Sequence, residues 1–297
     1  MYPFFTIPLL EFLTAIARLY SVPQLLGFAL VLSIVLIVSA RDSRAQRFFR
    51  RSFRTDVAHA TWFPVYTILI GLPLSLRLAG IVTDHLPFLR VNLLSGLPTG
   101  LNIALWFTAS DFTLYWLHRS MHRSRWLWTL HKVHHSQREL NPLTTWRVHW
   151  LEWLYFSLGP FMTGVVMGNI RTLPPLLIGS LAAVQFGLHS DLDWSYGPVG
   201  RLIVSPRFHA RHHSLAPEDV NTNFGGVLVI WDYLFGTARN VAARAPAHGL
   251  APADNDVPDS FFGQQTYPLS VLLRRSRRLN PPLATSVEIN TEAQERI

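Results

Sequence analysis

Five stretches of this chain lack Asp, Glu, Lys and Arg for 18 to 22 residues each, and this pattern limits the folds available to it. They are residues 19–40, 57–76, 91–110, 153–170 and 172–190. A membrane-spanning helix needs about 20 mostly apolar residues, so each stretch is a candidate span. A large soluble helical protein is the alternative, but soluble helices of this length rarely lack a charged face. We therefore predict an all-α polytopic membrane protein of four to five spans with a cytoplasmic helical cap.

The net charge of +8 is distributed between the candidate spans rather than in one patch that could bind nucleic acid. Loops rich in Lys and Arg remain in the cytoplasm, so the basic groups are expected to share the cytoplasmic face. Threading the chain through the five spans places its histidine clusters on the same face. The basic groups are residues 41–54; Arg119, Arg123, Arg125, Lys132 and Arg138; Arg201, Arg207 and Arg211; and Arg274, Arg275, Arg277 and Arg278.

Three regions are predicted along the chain. Residues 1–100 contain the N-terminal spans, and residues 101–240 form a histidine-rich domain that includes a membrane hairpin over 153–190. Residues 241–297 are rich in Ala and Pro and then polar, which is typical of a loosely ordered tail. The protein is expected to be integral to the membrane, with several passes and with its histidine boxes on the cytoplasmic face.

The histidines are concentrated in a chain that has no cysteine: ten of the thirteen lie between residues 118 and 213. HRSMH, HKVHH and HARHH place imidazoles at helical spacings of three and four residues, which share one helix face. The pair and the first triple cannot serve one site from one straight helix, so a break is expected between them, with Ser124 as the candidate. The alternative is that these histidines are not metal ligands but interfacial side chains that shield an arginine-rich surface.

Eight clustered histidines exceed the needs of one ion, and two metals with about four nitrogens each fit better. The absence of cysteine excludes iron–sulfur clusters and thiolate zinc sites. HExxH and GxGxxG are absent, which disfavours a zincin-type protease and a nicotinamide or flavin site. Nitrogen-rich sites suit iron, zinc, copper or nickel, and iron with open positions is the usual partner for oxygen chemistry. A di-iron centre is favoured on chemical grounds, with zinc as a substitute.

These motifs resemble the fatty acid hydroxylase (sterol desaturase) superfamily, whose boxes read HxxxH, HxxHH and HxxHH. Asp111, Tyr115 and Trp116 before the first box and NTNFGGVLVIWDYLFGT after the third also match, so the resemblance covers about residues 105–237. It implies an integral-membrane, non-haem di-iron oxygenase that hydroxylates or desaturates a lipid. The implied metal ligands are His118, His122, His131, His134, His135, His209, His212 and His213, with His189 as the additional histidine between the second and third boxes.

Two electrons per turnover are expected to come from an external carrier, such as a ferredoxin or a cytochrome with its reductase, because the chain has no redox cofactor motif of its own. The basic face could attract an acidic carrier or hold anionic lipid headgroups, and both roles remain open. A metal transporter or sensor and a zinc-dependent membrane hydrolase are the rival functions.

Several polar residues near the boxes have open roles. His149 is a tenth ligand, a supporting group or an interfacial histidine, and Asp232 pairs with an arginine or caps a local turn. His59, His85 and His248 are excluded as ligands. The candidates for supporting the ligand histidines are Asp111, Asp191, Asp193 and Glu152. Asp191 and Asp193 would accept the second ring N–H of a ligand imidazole, or they are ordinary loop acids.

Overall fold

The computed structural model describes residues 52–89, 93–94, 96–167 and 184–279, together with residues 29, 30, 33 and 37. The regular structure over these residues is helical, and the extended pairing there consists of two isolated bridges, Ile203 with Leu228 and Ser214 with His248. The all-α prediction is therefore confirmed for the described part of the chain.

Eight α-helices carry the described fold. A π-helical stretch, Thr67–Gly71, joins the first two, and a further helical segment covers residues 184–188. Short 3₁₀ helices at Pro87–Leu89, Pro142–Trp146, Gly197–Arg201, Pro217–Asp219 and Pro252–Asp254 lie in the connections. The helices are α1 (Phe53–Tyr66), α2 (Leu72–His85), α3 (Thr99–Arg123), α4 (Arg125–His135), α5 (Trp150–Met167), α6 (Pro206–His212), α7 (Ile230–Leu234) and α8 (Phe261–Leu279).

The candidate spans are only partly covered by these helices. Residues 57–76 fall in α1, the π-helical stretch and α2, while most of 19–40 and the first part of 172–190 lie outside the described residues. Among the helices that the structure describes, none combines the length and the hydropathy required for crossing a bilayer.

The break predicted between the first two histidine boxes is confirmed at Ser124. Its backbone is extended, with φ −95° and ψ 122°, and its hydroxyl accepts a hydrogen bond from the Leu127 N–H at 3.5 Å. Ser124 therefore ends α3 and caps the N-terminus of α4, as serine commonly does. Because α3 also packs along α5, the helices of the first two boxes lie together beside α5.

The region after Asn240 is more ordered than its composition predicts. Helix α8 packs against α1 and α4, and Tyr267 is buried in a cluster with Val133, Leu250 and Val257. Lys132 on α4 forms ion pairs with two acidic residues of this region, Asp254 at 2.9 Å and Asp256 at 2.7 Å. The expectation of a loose tail is therefore wrong up to Leu279, because burial against α4 compensates for the cost of ordering a polar, proline-rich segment. Residues 280–297 lie outside the described part.

Candidate metal centre

The nine histidines predicted as ligands lie in two adjacent groups. Within each group, one nitrogen of every imidazole lies within 4.8 Å of the corresponding nitrogens of the others. Centre A consists of His118, His122, His131, His135 and His212, and centre B consists of His134, His189, His209 and His213. The two are neighbours, since the stacked rings of His135 and His213 have centroids 4.4 Å apart.

Each of the two triple boxes contributes to both centres. On α4, His131 and His135 are one turn apart and face centre A, while His134 faces centre B. The third box divides in the opposite sense, with His209 and His213 in centre B and His212 in centre A. Residues four apart on a helix share a face more closely than residues one or three apart, so helical geometry itself divides each box.

The spacing of the ring nitrogens suits a common ion. In centre A, His131 Nε2 lies 3.1 Å from Nε2 of both His118 and His135, and His135 Nε2 lies 3.0 Å from that of His212. The corresponding distances in centre B are 2.9, 3.2 and 3.3 Å. Two nitrogens each about 2.1 Å from one ion, at right or tetrahedral angles, are about 3.0 to 3.4 Å apart.

Hydrogen bonds behind the rings of centre A determine which nitrogen carries a lone pair. The Nδ1 atoms of His118 and His212 lie 2.9 and 2.8 Å from the carbonyl oxygens of Phe224 and Thr222. A carbonyl only accepts hydrogen bonds, so these Nδ1 atoms carry the protons and the Nε2 atoms of the neutral rings present lone pairs. The lone pairs converge on the interior of centre A.

Centre B shows the same arrangement. His134 Nδ1 donates to the Arg147 carbonyl at 3.3 Å and His189 Nδ1 to the Gln185 carbonyl at 2.9 Å, while their Nε2 atoms face each other at 3.2 Å. Two opposed lone pairs repel unless a cation lies between them. In addition, the buried Nε2 of His122 in centre A has no hydrogen-bond partner within the described protein. The residues present therefore fit two metal ions.

The electrostatics of the pocket keep the imidazoles available as ligands. Burial lowers the pKa of His118 to about 4, and burial together with neighbouring imidazoles lowers the pKa of His122, His131 and His135 well below the usual value. The pKa values of His209, His212 and His213 are lowered for the same reasons. Neutral imidazole is the metal-binding form, so these rings need not lose a proton at neutral pH before they bind.

Glu152 supports one of the centre A histidines directly. Its Oε1 lies 2.7 Å from His131 Nδ1, and its Oε2 accepts from the His149 backbone N–H at 3.3 Å. The carboxyl is fully buried, and burial raises its pKa well above the usual value. A cation on the far side of the His131 ring would favour the ionised carboxylate and the Nδ1–H donor, the arrangement typical of metal-binding histidines.

A polar scaffold holds the loop whose carbonyls support centre A. The Asp232 carboxylate accepts from the N–H groups of Phe224 and Gly225, both at 2.8 Å. Asn223, which adopts a positive φ of 58°, donates through its side chain to the Phe208 carbonyl at 2.8 Å. Of the two roles open for Asp232, the structure shows the local cap. The anchoring role of Asn223 has no sequence signal beyond the tolerance of asparagine for positive φ.

Asp111 supports the same loop and not an imidazole. Its carboxylate accepts from the backbone N–H groups of Val227 and Leu228, each at 3.0 Å, and from Trp231 Nε1 at 2.9 Å. Asp111 was predicted to support the ligand histidines, and its hydrogen bonds stabilise the loop whose carbonyls accept from His118 and His212. Burial raises the pKa of Asp111, and its three hydrogen bonds oppose that effect.

Asp56 is a support that the sequence reasoning missed. This fully buried residue of α1 accepts from Arg147 Nε at 2.6 Å, Gln137 Nε2 at 2.6 Å and Asn141 Nδ2 at 2.7 Å. Arg147 in turn supplies the carbonyl that accepts from His134. The available signal was the position of Asp56 directly before an uncharged stretch, where a carboxylate is a functional candidate.

The remaining candidates lie outside the two centres. Asp193 forms an ion pair with Arg207 at 2.7 Å, and Asp191 lies 3.5 Å from Arg244 and 3.9 Å from His248, so neither is shown to bind a ligand imidazole. His149 Nε2 donates to the Gln265 carbonyl at 2.9 Å and its Nδ1 accepts from the Leu151 N–H at 3.1 Å. His149 thus supports Glu152 through its backbone. His59, His85 and His248 belong to neither centre.

Aromatic rings cover centre A. Phe224 contacts the rings of His118, His122 and His212 with centroid distances of 5.6, 5.1 and 5.7 Å. Trp128 lies 4.9 Å from His122 and 5.3 Å from His135. These apolar surfaces exclude water from the interior towards which the lone pairs point.

Residues 103–237 match the family model for fatty acid hydroxylase. The chain is 34% identical to ornithine lipid hydroxylase OlsE of Rhizobium tropici over 58% of this chain and 52% of that protein. It is 30% identical to alkylglycerol monooxygenase of Xenopus tropicalis over 45% of this chain and 29% of that protein. The identity to methylsterol monooxygenase 1-3 of Arabidopsis thaliana is 26%, over 50% and 54% of the two chains.

The chain thus spans about half the length of the first and third relatives and under a third of the second. No solved structure matches it. The matched residues include all nine histidines of the two centres as well as Asp111, Glu152 and Asp232. Residues 103–237, which carry both histidine centres, thus match the fatty acid hydroxylase family model.

Proposed function

We propose that the protein is a membrane-bound, non-haem di-iron oxygenase that hydroxylates a lipid with O₂ and externally supplied electrons. The observation that carries this proposal is the convergence of imidazole lone pairs in two neighbouring centres, with five nitrogens in one and four in the other. Two iron ions would supply the oxidising power needed to insert an oxygen atom from O₂ into an unactivated C–H bond.

The protein's own contribution is to orient the ligands and to exclude water. Carbonyls of residues 222, 224, 147 and 185 fix the tautomer and orientation of four imidazoles. Glu152 holds the proton at His131 Nδ1. Phe224 and Trp128 keep the space beside centre A apolar. A rigid and dry site of this kind favours reaction at a bound substrate over the loss of oxidising equivalents to water.

The names of the relatives support a lipid substrate and favour hydroxylation over desaturation. They are called ornithine lipid hydroxylase, alkylglycerol monooxygenase and methylsterol monooxygenase. Iron is preferred to zinc because a monooxygenase reaction requires a redox-active metal, whereas zinc has no redox chemistry.

We further propose that the chain is a multi-pass membrane protein with both centres at the cytoplasmic boundary. The long uncharged stretches and the basic groups between them support this orientation. Two electrons per turnover would come from a ferredoxin or a cytochrome with its reductase, since no redox cofactor motif is present in the sequence.

The first test is metal analysis of protein expressed in iron-replete medium and purified in mild detergent. About two irons per chain and an iron spectrum typical of a coupled pair are expected. Incubation with a bacterial lipid extract, a reductant and ¹⁸O₂ should then yield a lipid with one ¹⁸O atom.

Two variants control this test. His212→Ala removes a centre A ligand and should abolish the labelled product, whereas His59→Gln alters a buried histidine bonded to Gln264 and should leave it. Two zinc ions without iron, no bound metal, or full activity of His212→Ala would contradict the proposal.

A further inference from the structure

Helix α7 has its polar and apolar sides reversed relative to a helix on a water-facing surface. Its one charged residue, Asp232, is fully buried and binds backbone N–H groups of the loop beside centre A. Its large apolar residues point outward, with Ile230 45%, Tyr233 48% and Leu234 63% exposed. Buried charge combined with contiguous exposed apolar surface marks a binding surface more reliably than single exposed apolar side chains do.

The exposed apolar surface continues onto the segment paired with α7. The Val229 N–H donates to the Leu202 carbonyl at 3.0 Å, which holds the 199–203 segment beside the start of α7. Leu202 is 66% exposed and Val199 51% exposed. We call Val199, Leu202, Ile230, Tyr233 and Leu234 the α7 face.

Helix α3 extends this surface along its length. Leu101, Leu105, Phe112 and Trp116 are exposed and lie on one side of the helix at spacings near multiples of 3.6 residues. The Phe112 ring contacts Trp231 of α7 at 4.9 Å between centroids, which joins the α3 stripe to the α7 face.

Cationic groups border this surface. The Arg119 guanidinium lies 5.3 Å from the centroid of the Trp116 ring and donates to the Tyr115 hydroxyl at 3.0 Å. Arg201 is exposed next to Leu202. Tryptophan and tyrosine with flanking arginines are typical of the layer between lipid headgroups and acyl chains.

We propose that the α7 face lies in the interfacial layer of an anionic bilayer. Phe112 and Trp116 follow residue 110, the end of a candidate span, by two and six residues, or about 3 and 9 Å of helix rise. Both residues therefore lie just beyond the predicted end of the hydrocarbon span, where the interfacial layer begins. Anionic headgroups would also neutralise Arg119 and Arg201.

A second copy of the chain is a less suitable occupant. A two-fold contact brings the same patch of both subunits together, so the arginines at its border would approach their own copies. Like charges at a contact between proteins oppose association, whereas anionic lipid attracts them.

The chain contains no cysteine, so single cysteines can carry a nitroxide label without removal of others. We would label Leu234→Cys and Leu202→Cys on the α7 face. Val220→Cys is the matched control, because Val220 is 58% exposed and lies beside exposed Glu218 and Asn221. Each labelled full-length protein is reconstituted into vesicles of phosphatidylcholine and phosphatidylglycerol, and collisions with O₂ and with a water-soluble nickel chelate are measured.

Labels at 234 and 202 should collide with O₂ several-fold more often than with the nickel chelate, and the label at 220 should show the reverse preference. Nickel access at 234 and 202 equal to that at 220 would overturn the proposal. Shielding of those labels from both reagents would also overturn it, since that result indicates a protein partner. Circular dichroism of each labelled protein checks the helical content, and Tyr233→Cys replaces a variant that fails this check.

The readout involves neither metal nor turnover. It can therefore fail while the oxygenase proposal stands, and it can succeed while that proposal fails.

Discussion

Replacing Glu152 with glutamine tests whether this buried carboxylate orients a metal ligand. Glutamine has nearly the same shape, but its amide oxygen is a weaker acceptor for His131 Nδ1–H than a carboxylate, and its NH₂ group cannot accept from the His149 N–H. Glu152 makes both contacts in the structure, at 2.7 and 3.3 Å. Hydrogen bonds that involve a charged group are each worth about 1.5–3 kcal/mol. The loss corresponds to about 10- to 100-fold weaker metal binding, the range found for partners of ligand histidines.

The assay is anaerobic competition for iron(II) against a chelator of known affinity, with metal-free thermal unfolding measured in parallel. Burial raises the pKa of Glu152 in the metal-free protein, so ionisation at neutral pH disfavours the folded state. The metal-free variant should thus be at least as stable at pH 7 as the parent, which separates lost ligand orientation from unfolding. Glu218→Gln, at an exposed carboxylate, is the control and should bind iron as the parent does. Unchanged affinity in Glu152→Gln would refute the argument.

His209→Ala should lower the metal content from about two ions per chain to about one, because the substitution removes one of the four centre B nitrogens. Elemental analysis tests this with His59→Gln as the control, and retention of two ions by His209→Ala would contradict it. Gly225→Ala should lower the midpoint of thermal unfolding by several degrees, because the added Cβ would lie 2.7 Å from the Leu228 carbonyl oxygen and 2.8 Å from Asp232 Oδ2. The control is Gly80→Ala, whose Cβ would meet no atom within 4 Å and which should leave the midpoint unchanged. The metal-free protein should lose stability as the pH falls below about 6.5, because the unfolded chain binds protons that buried His118, with a pKa of about 4, does not. This one group accounts for about 3 kcal/mol by pH 4, and equal melting temperatures at pH 7 and 5 would exclude the effect.

The identity of the histidines in the candidate site was predictable from the sequence because it depends on local helix geometry. Spacings of three and four residues place imidazoles on one face of any helix, wherever that helix lies in the fold. The break at Ser124 was predictable for the same reason, since a straight helix would have pointed the first two boxes in different directions. His189 was identified through family resemblance and not through spacing.

The groups that orient those histidines were not predictable in the same way. Four of them are backbone carbonyls, at residues 147, 185, 222 and 224, and every residue carries a carbonyl whatever its side chain. Asp111 was predicted to support the site, but the backbone N–H groups that it binds could not be named, because a carboxylate in the sequence does not specify which donor it meets. The order of the region up to Leu279 likewise depends on contacts with α1 and α4 that are distant in sequence.

The residues alone show which imidazoles are available, that they exceed one ion's needs, and that long uncharged segments accompany them. The folded arrangement is needed to see how the nine divide into five and four, which ring nitrogens converge, and which carboxylate supports His131. This difference follows from the range of the interactions. Helical periodicity acts within four residues, whereas the division of ligands and the choice of tautomer depend on atoms brought together from α3, α4 and α6 and the loop before α7.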